Sequence, residues 1–345
     1  MTESVQRKMR RGVTIVEVLI VSGIVSLLAA LVLPAVQSSR ESSRQLSCRN
    51  NLRQLMLATS GHEAARGAFP VTSVVSGDMV DGKFTTIFAS ISPHRSLLGY
   101  IDPAMFGKMD FNDKSVPYEN AIPGSESSAN QAIIRASVPV FLCPSDSMPP
   151  GGNNYRANMG TGPEIFSQAD YPHDGPLDSG NRSGAWVNGN SLRPQHFRDG
   201  LSHTIMLSEK IIGDGNRAVY TPHRDRFGSP VDFRLANDAV KACRNYAVPN
   251  PDYSDSFSGM TWLFGGFSNT WYNHVVTPNS RVPDCSLMLR AGGGAGLYTA
   301  RSFHPGGVNA AFGDGAVKFI SDSVDIAVWH AISTRAGGDP FSDFD

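Results

Sequence analysis

A single carboxylate lies inside an apolar stretch near the N-terminus, where its charge requires a partner. Glu17 is the only ionisable residue between Val13 and Val36, and four basic residues precede this stretch within residues 1–12. A carboxylate in a hydrocarbon environment is costly unless something neutralises it. We therefore expect Glu17 to pair with a positive charge. A plain membrane anchor gives no reason for a carboxylate at this position.

His304 and Asp314 could belong to a catalytic or metal site, but the predicted local structure argues against direct contact. Residues 308–312 and 316–320 are typical of two short strands, with a Gly-Asp-Gly turn signal around Asp314 between them. His304 precedes the first strand, and five strand residues span roughly 17 Å. We therefore expect a turn aspartate with local hydrogen bonds and a structural histidine.

The four cysteines indicate disulfides rather than a zinc site. They are Cys48, Cys143, Cys243 and Cys285, with no CxxC and no Cys/His cluster at zinc-binding spacing. Two disulfides are permitted if the chain leaves the cytoplasm, and four cysteines allow three pairings. We favour Cys48–Cys143, which would tie the N-terminal helix to the rest of the chain, together with Cys243–Cys285.

Composition and missing motifs exclude several classes of function. Lys plus Arg total 30 and Asp plus Glu total 31, a net charge of -1, which argues against a protein that coats nucleic acid. GxSxG and HExxH motifs are absent, and the glycines at 292–296 lack phosphate-binding spacing. We expect no catalytic residue, no metal ligand and no cofactor.

The residues around Glu17 predict a helix long enough to cross a membrane. Val13 to Leu33 is 21 residues, or roughly 30 Å of helix. The basic residues before it would keep the N-terminus in the cytoplasm. Signal peptides and simple signal anchors share these features, although the apolar run continues to Pro34 without a small-x-small cleavage site.

The helix is predicted to continue with an amphipathic face and to pack on a single head. Its expected buried face consists of Leu46, Leu52, Leu55, Met56 and Thr59. In the head, 138–142 and 204–208 are typical of buried strands, 84–101 and 127–136 of helical or mixed structure, and 324–335 of a helix. The hydrophobic fraction of 41% can fill a sizeable core.

The N-terminal pattern resembles the cleavage and methylation site of type IV prepilins and type II secretion pseudopilins. Gly12 is followed by Val-Thr-Ile-Val-Glu, so Glu17 would be the fifth residue and Pro34 the twenty-second after cleavage between Gly12 and Val13. Val13 and Val16 replace the usual Phe and Leu. The resemblance implies that Glu17 neutralises the Val13 amine of a neighbouring subunit, and that Pro34 can locally break the helix.

Other segments resemble a family of bacterial pseudopilin-like proteins, the domain-of-unknown-function 1559 proteins. His304 precedes Asp314-Gly315 with nine residues between, which is that family's H-X9-DG signature. The segments similar to its other motifs are Cys48–Leu55, Phe141–Asp146, Asp199–Ile205 with Glu209, and Trp329–Gly338. His203 stands where the family often has Asn. The resemblance extends from near residue 12 to near residue 338.

The two resemblances imply a fold and a cellular route. The fold is α+β, with a leader at 1–12, a pilin-type helix at 13–66 whose membrane part is 13–36, and a head at 67–345 dominated by antiparallel sheet. The chain would be a structural subunit of a type II secretion or type IV pilus-like system, and not an enzyme. Its partners would be the prepilin peptidase, other pilin or pseudopilin subunits, the inner-membrane assembly platform and membrane lipid, with the head extracytoplasmic.

Three other properties stay open at this point. Some pseudopilins bind calcium, and the loop carboxylates that permit a structural Ca²⁺ here are Asp252, Asp255, Asp339 and Asp343. The head could instead belong to a membrane-anchored surface protein that binds a glycan or small solute without polymerising. The aromatic residues that could bind sugars are Trp186, Trp262, Trp271 and Tyr272, although we favour a core position for them. A hydrolase is the weakest alternative, since it needs convergent carboxylates or a Ser/His pair.

Overall fold

The structure, a computed structural model, describes residues 14–74, 78–80, 83–85, 90–109, 133, 136–146, 151–162, 183–216, 218–229, 236–245, 254–287 and 296–338. The chain divides into two compact units, Met1–Gln45 and Leu46–Asp345. The first unit contains the N-terminal part of one long helix, and the second contains the end of that helix and the head. The observed class is α+β, as predicted.

The helices and strands are short except for the first helix. The α-helices are α1 Ile15–Arg66, α2 Pro93–Ile101, α3 Pro103–Phe106, α4 Ala236–Asn245 and α5 Ile326–Ala331, with 3-10 turns at Pro139–Phe141 and Pro194–His196. The strands are β1 Ser73–Val74, β2 Asp78–Val80, β3 Lys83–Thr85, β4 Ser90–Ile91, β5 Tyr155–Asn158, β6 Ile205–Glu209, β7 Arg226–Ser229, β8 Ser254–Asp255, β9 Trp271–Tyr272, β10 Cys285–Leu287, β11 Gly296–Leu297, β12 Gly307–Phe312 and β13 Val317–Ser321.

In the first unit, α1 is apolar and exposed around its whole circumference. Every residue from Ile15 to Val36 is exposed within the chain, and this segment has the length and hydropathy of a membrane span. Pro34 lies inside the helix without interrupting it. The break expected at Pro34 is therefore absent, because a proline removes one hydrogen bond while the neighbouring turns keep theirs.

In the second unit, the end of α1 packs on the head through one stripe of side chains. Of the predicted face, Leu52, Leu55, Met56 and Thr59 are buried, but Leu46 is 54% exposed. The prediction for Leu46 is wrong because Cys48 begins the buried stripe. Residues two apart on a helix do not share a face.

The largest sheet among the described strands has five members in the order β13-β12-β6-β5-β9. Its pairs are antiparallel except for the parallel pair of β5 and β9. All residues of β5, β6 and β12 are buried, so the middle of the sheet is covered on both faces. A four-stranded sheet in the order β11-β10-β7-β8 lies elsewhere in the head.

Some local predictions are confirmed and others are not. The predicted strand 204–208 is β6, shifted by one residue. The predicted hairpin is β12 and β13, in which β12 begins one residue earlier than predicted and β13 is shifted by one residue. Within 138–142, Pro139–Phe141 form a 3-10 turn instead of a strand, because Pro139 fixes φ and occupies the start of the turn. The C-terminal helix is shorter than 324–335, since the Asp325 side chain caps it by accepting a hydrogen bond from Ala327 N.

The other head predictions fall partly outside the described residues. Within 84–101, the described residues include β4 and the helix α2. Of 127–136, the structure describes residues 133 and 136 alone. Leader residues 1–12 and Val13 are outside the described part as well.

Candidate functional site

In the N-terminal unit, Glu17 belongs to a capping box at the start of α1. Its Oε2 accepts hydrogen bonds from Thr14 N at 2.9 Å and Thr14 Oγ1 at 2.8 Å, while Glu17 N donates to Thr14 Oγ1 at 3.3 Å. A Thr-x-x-Glu sequence at a helix start satisfies two backbone donors in this way. Sequence reasoning missed Thr14, although the capping-box spacing was available. Gly12 and Val13 lie outside the described residues, so cleavage between them stays a prediction.

The first family-like motif, which lies in α1, is joined to the second, which lies in the head, by a disulfide. Cys48 in α1 and Cys143 form the bond, with Cα atoms 5.2 Å apart, which is one of the two pairs favoured from the sequence. Nearby, Asn51 Nδ2 donates to Leu142 O at 2.9 Å, and Arg49 Nη2 donates to Val317 O at 3.2 Å. The end of α1 is thus fixed to the head covalently and by hydrogen bonds.

His304 lies beside this disulfide, in contact with a buried glutamate. Its Nε2 is 3.2 Å from Glu209 Oε1 and 3.6 Å from Cys143 Sγ. Glu209 also accepts hydrogen bonds from Asn309 N at 2.7 Å and from Asn309 Nδ2 at 3.0 Å. We call Cys48, Cys143, Glu209 and His304 the motif junction, because each belongs to a different segment that resembles a family motif.

The motif junction contains residue types that bind transition metals, but its present arrangement does not fit an ion. The four ligand atoms lie within 4.8 Å of one another, and all four residues are buried. Cysteine binds a metal as the free thiolate, whereas both sulfurs here form the disulfide, and both Glu209 oxygens accept hydrogen bonds. The arrangement is that of a packed core junction.

Asp314 is separated from His304, as the sequence predicts. It is exposed in the turn between β12 and β13, where its Oδ1 accepts a hydrogen bond from Ala316 N at 2.9 Å. Gly315 follows with φ of 90°, a conformation that favours glycine. The two ends of the H-X9-DG signature therefore serve different local structures.

The remaining motif aspartates hold loops in place. Asp199 accepts hydrogen bonds from Gly337 N at 2.7 Å and Gly338 N at 3.0 Å, which joins its segment to the C-terminal segment. Asp146 Oδ2 accepts from Ile212 N at 2.9 Å, and Asp146 Oδ1 is 2.9 Å from Arg224 Nη1. Both carboxylates are thus used by neighbouring backbone or by a cation.

A second disulfide lies next to a buried charge network. Cys243 in α4 and Cys285 in β10 are joined, with Cα atoms 5.6 Å apart, which is the other favoured pair. Asp284 contacts Lys210 Nζ through Oδ2 and accepts hydrogen bonds from Arg301 Nε at 3.2 Å and Nη2 at 3.0 Å through Oδ1. Sequence reasoning missed this network, because nothing in the spacing of these residues brings them together.

The network shifts the pKa values of its members. Burial lowers the pKa of the Lys210 ammonium to about 7, even though Asp284 favours the charged form. Burial acts to raise the pKa of Asp284, but Lys210 and Arg301 outweigh it and bring the pKa to about 2. Asp284 therefore stays ionised between its two cations.

The calcium and sugar candidates take core positions where the structure describes them. Asp255 contacts Arg226 in an ion pair, and the other three calcium candidates, Asp252, Asp339 and Asp343, lie outside the described residues. The four aromatic candidates, Trp186, Trp262, Trp271 and Tyr272, are all buried. Their core position agrees with the favoured interpretation, so they offer no exposed surface for a sugar.

The comparisons with known proteins agree with the motifs. The family described as a protein of unknown function (DUF1559) matches residues 37–327. No curated protein and no solved structure matches the chain. The chain belongs to the DUF1559 family.

Proposed function

We propose that this DUF1559 protein is a pilin-like structural subunit. Prepilin peptidase would cut between Gly12 and Val13, and residues 13–36 would hold the chain in the inner membrane before assembly into a pilus or pseudopilus. The observation that carries the proposal is the apolar, fully exposed segment from Ile15 to Val36, with Glu17 as its one ionisable residue.

The exposed segment supports assembly because its side chains need an apolar environment. Lipid tails supply one environment, and the equivalent helices of neighbouring subunits supply another, where packing and paired charges drive association. The capping box keeps the Glu17 carboxylate at the first turn of α1. Cleavage after Gly12 would create a cationic amine at Val13, and pairing of that amine with Glu17 of a neighbour would set the register between subunits.

The head supports an extracytoplasmic, non-catalytic role. Two buried disulfides favour an oxidising compartment. The motif residues that could have formed a catalytic site are used in packing and hydrogen bonds instead. In this proposal the chain has no activity of its own, and its partners are the peptidase, other pilin or pseudopilin subunits, the assembly platform and lipid.

The membrane-anchored binding protein remains the rival function. It would use the same N-terminal processing without polymerising, and it would recognise a glycan or solute through the head. An exposed aromatic cleft would favour it, but the four tryptophans of the chain are all buried: Trp186, Trp262, Trp271 and Trp329. The packed tryptophans therefore favour the structural subunit.

Photo-cross-linking through the apolar helix tests assembly directly. A photoreactive amino acid at Leu28, which is exposed in the first unit, should give a ladder of covalent multimers in native membranes. The matched control places the same group at Leu57, an exposed leucine of α1 in the second unit, and should give a weaker or different pattern. Lipid adducts alone from Leu28, on a correctly processed chain, would contradict polymerisation and favour the rival.

A further inference from the structure

The head contains a set of buried ion pairs and one further buried arginine in β5, Arg156. Four ion pairs join four cations to three carboxylates: Arg224 with Asp146, Arg226 with Asp255, and both Lys210 and Arg301 with Asp284. Arg156 is a fifth cation, and no carboxylate lies within ion-pair distance of it in the described part of the chain. Buried charges without a counter-charge are costly, so Arg156 needs a further explanation.

Arg156 is completely buried, and only one of its three nitrogens is satisfied. Nη1 donates to Ser258 Oγ at 3.1 Å and lies 3.4 Å from Phe267 O. Nε and Nη2 are buried without a hydrogen-bond partner among the described residues. Burial lowers the pKa of Arg156 to about 9, although the charges of Asp284, Asp146 and Asp255 favour the charged form from beyond ion-pair distance. The guanidinium therefore remains charged at neutral pH, and its direct hydrogen-bond partners are neutral.

Other side-chain donors without partners lie on the chain segments that pack around this guanidinium. The buried atoms Asn153 Nδ2, Ser268 Oγ and Asn269 Nδ2 also have no partner in the described structure. These segments meet at Gly259, where Asn153 N donates to Gly259 O at 2.8 Å and Gly259 N donates to Ser268 O at 2.7 Å. The guanidinium lies against Gly259, since a Cβ there would be 2.1 Å from Arg156 Nη2.

The chemistry of this set selects an acceptor with negative charge. Arginine and the amide nitrogen of asparagine only donate hydrogen bonds, and a serine hydroxyl can donate as well. A buried water must itself donate to acceptors and typically makes about three hydrogen bonds in all. An anion accepts from every donor and also neutralises the guanidinium.

We propose that Arg156 and its neighbouring donors bind a small inorganic anion enclosed in the head, with chloride as the ligand to test. The unpartnered atoms are all buried, so the site selects a small ion over an organic acid. Bound chloride would stabilise the folded head by mass action. This role is independent of the proposed assembly function and holds for a filament subunit or an anchored protein.

The test is thermal unfolding of the purified full chain in detergent at constant ionic strength, with chloride exchanged for bulky gluconate. Above the dissociation constant, each tenfold rise in chloride should raise the folded-to-unfolded ratio about tenfold. Arg156→Met should abolish this dependence, whereas Arg53→Met, which changes an exposed arginine of α1, should retain it. Equal unfolding curves in chloride and gluconate for the natural chain would overturn the proposal.

Two further measurements keep the proposal testable if Arg156→Met does not fold. Ser268→Ala and Asn153→Ala each remove one donor and should weaken the apparent chloride affinity several-fold. Crystals of the natural chain grown in bromide should show an anomalous peak in contact with Arg156 Nε or Nη2. Well-ordered density at that position without anomalous signal would identify water and overturn the anion site.

Discussion

His94 is completely buried, and its Nε2 lies 2.7 Å from the carbonyl oxygen of Tyr155. Burial lowers the pKa of His94 to about 4, although the hydrogen bond to Tyr155 opposes the shift. An unfolded histidine titrates near pH 6.5. Between these values the unfolded chain binds more protons than the folded chain, so acid lowers the free energy of unfolding.

The expected result is a loss of stability as pH falls from about 6.5 to about 4, with His94 contributing about 3 kcal/mol across that window. His94→Gln should reduce the slope of the unfolding free energy against pH. Part of the slope should persist, because burial also lowers the pKa of His274. Urea unfolding at a series of pH values measures this slope. His196→Gln, at a partly exposed histidine, is the control and should leave the slope unchanged. An unchanged slope in His94→Gln would contradict the role assigned to His94.

Substitutions at the two ends of the H-X9-DG signature should lower the free energy of unfolding by different amounts. His304→Ala should lower the free energy of unfolding by about 3 kcal/mol, because it removes one partner of the buried contact with Glu209. Asp314→Ala removes one exposed hydrogen bond and should cost about 1 kcal/mol or less. Urea unfolding of the oxidised full chain in detergent compares them, and equal costs would contradict the structural roles assigned to the two residues.

At the scale of elements, the spacing of apolar residues predicts a helix or strand where one face of that element is buried along its length. The spacing of Leu52, Leu55 and Met56 identifies the packed stripe of α1, and the Gly-Asp-Gly turn identifies the β12–β13 hairpin. The pattern fails at Leu46, because this apolar residue precedes Cys48, where the contact between α1 and the head begins. It also fails at 138–142, because periodicity over five residues cannot override Pro139.

Alanine substitutions on α1 test this assignment of the packed face. Leu52 is fully buried, so Leu52→Ala should cost about 2–5 kcal/mol in unfolding free energy. Leu46→Ala should change it by no more than about 0.5 kcal/mol, because Leu46 is largely exposed. Both variants keep the Cys48–Cys143 disulfide, so denaturant unfolding compares packing alone. A costly Leu46→Ala would show that this side chain has a partner.

At the scale of the whole molecule, the sequence predicted the class of the fold and where the motifs lie, but not how they meet. Four segments far apart in sequence converge on the Cys48–Cys143 disulfide and His304. The pairing of Lys210 and Arg301 with Asp284, and the burial of Arg156 with two unpartnered nitrogens, depend on long-range packing. No local period or spacing encodes such contacts, so they became visible only in three dimensions.

The proposed pilin-like role depends on how the N-terminus is processed. Intact mass and N-terminal sequencing of the chain from its native membrane should find a mature protein that begins at N-methylated Val13. Gly12→Ala should retain the uncut leader, whereas the control Gly23→Ala, at a helix position with open space around it, should be processed normally. A chain that begins at Met1 or Thr2, or beyond residue 36, would contradict the pilin-like route and leave residues 13–33 as a plain anchor or a removed signal peptide.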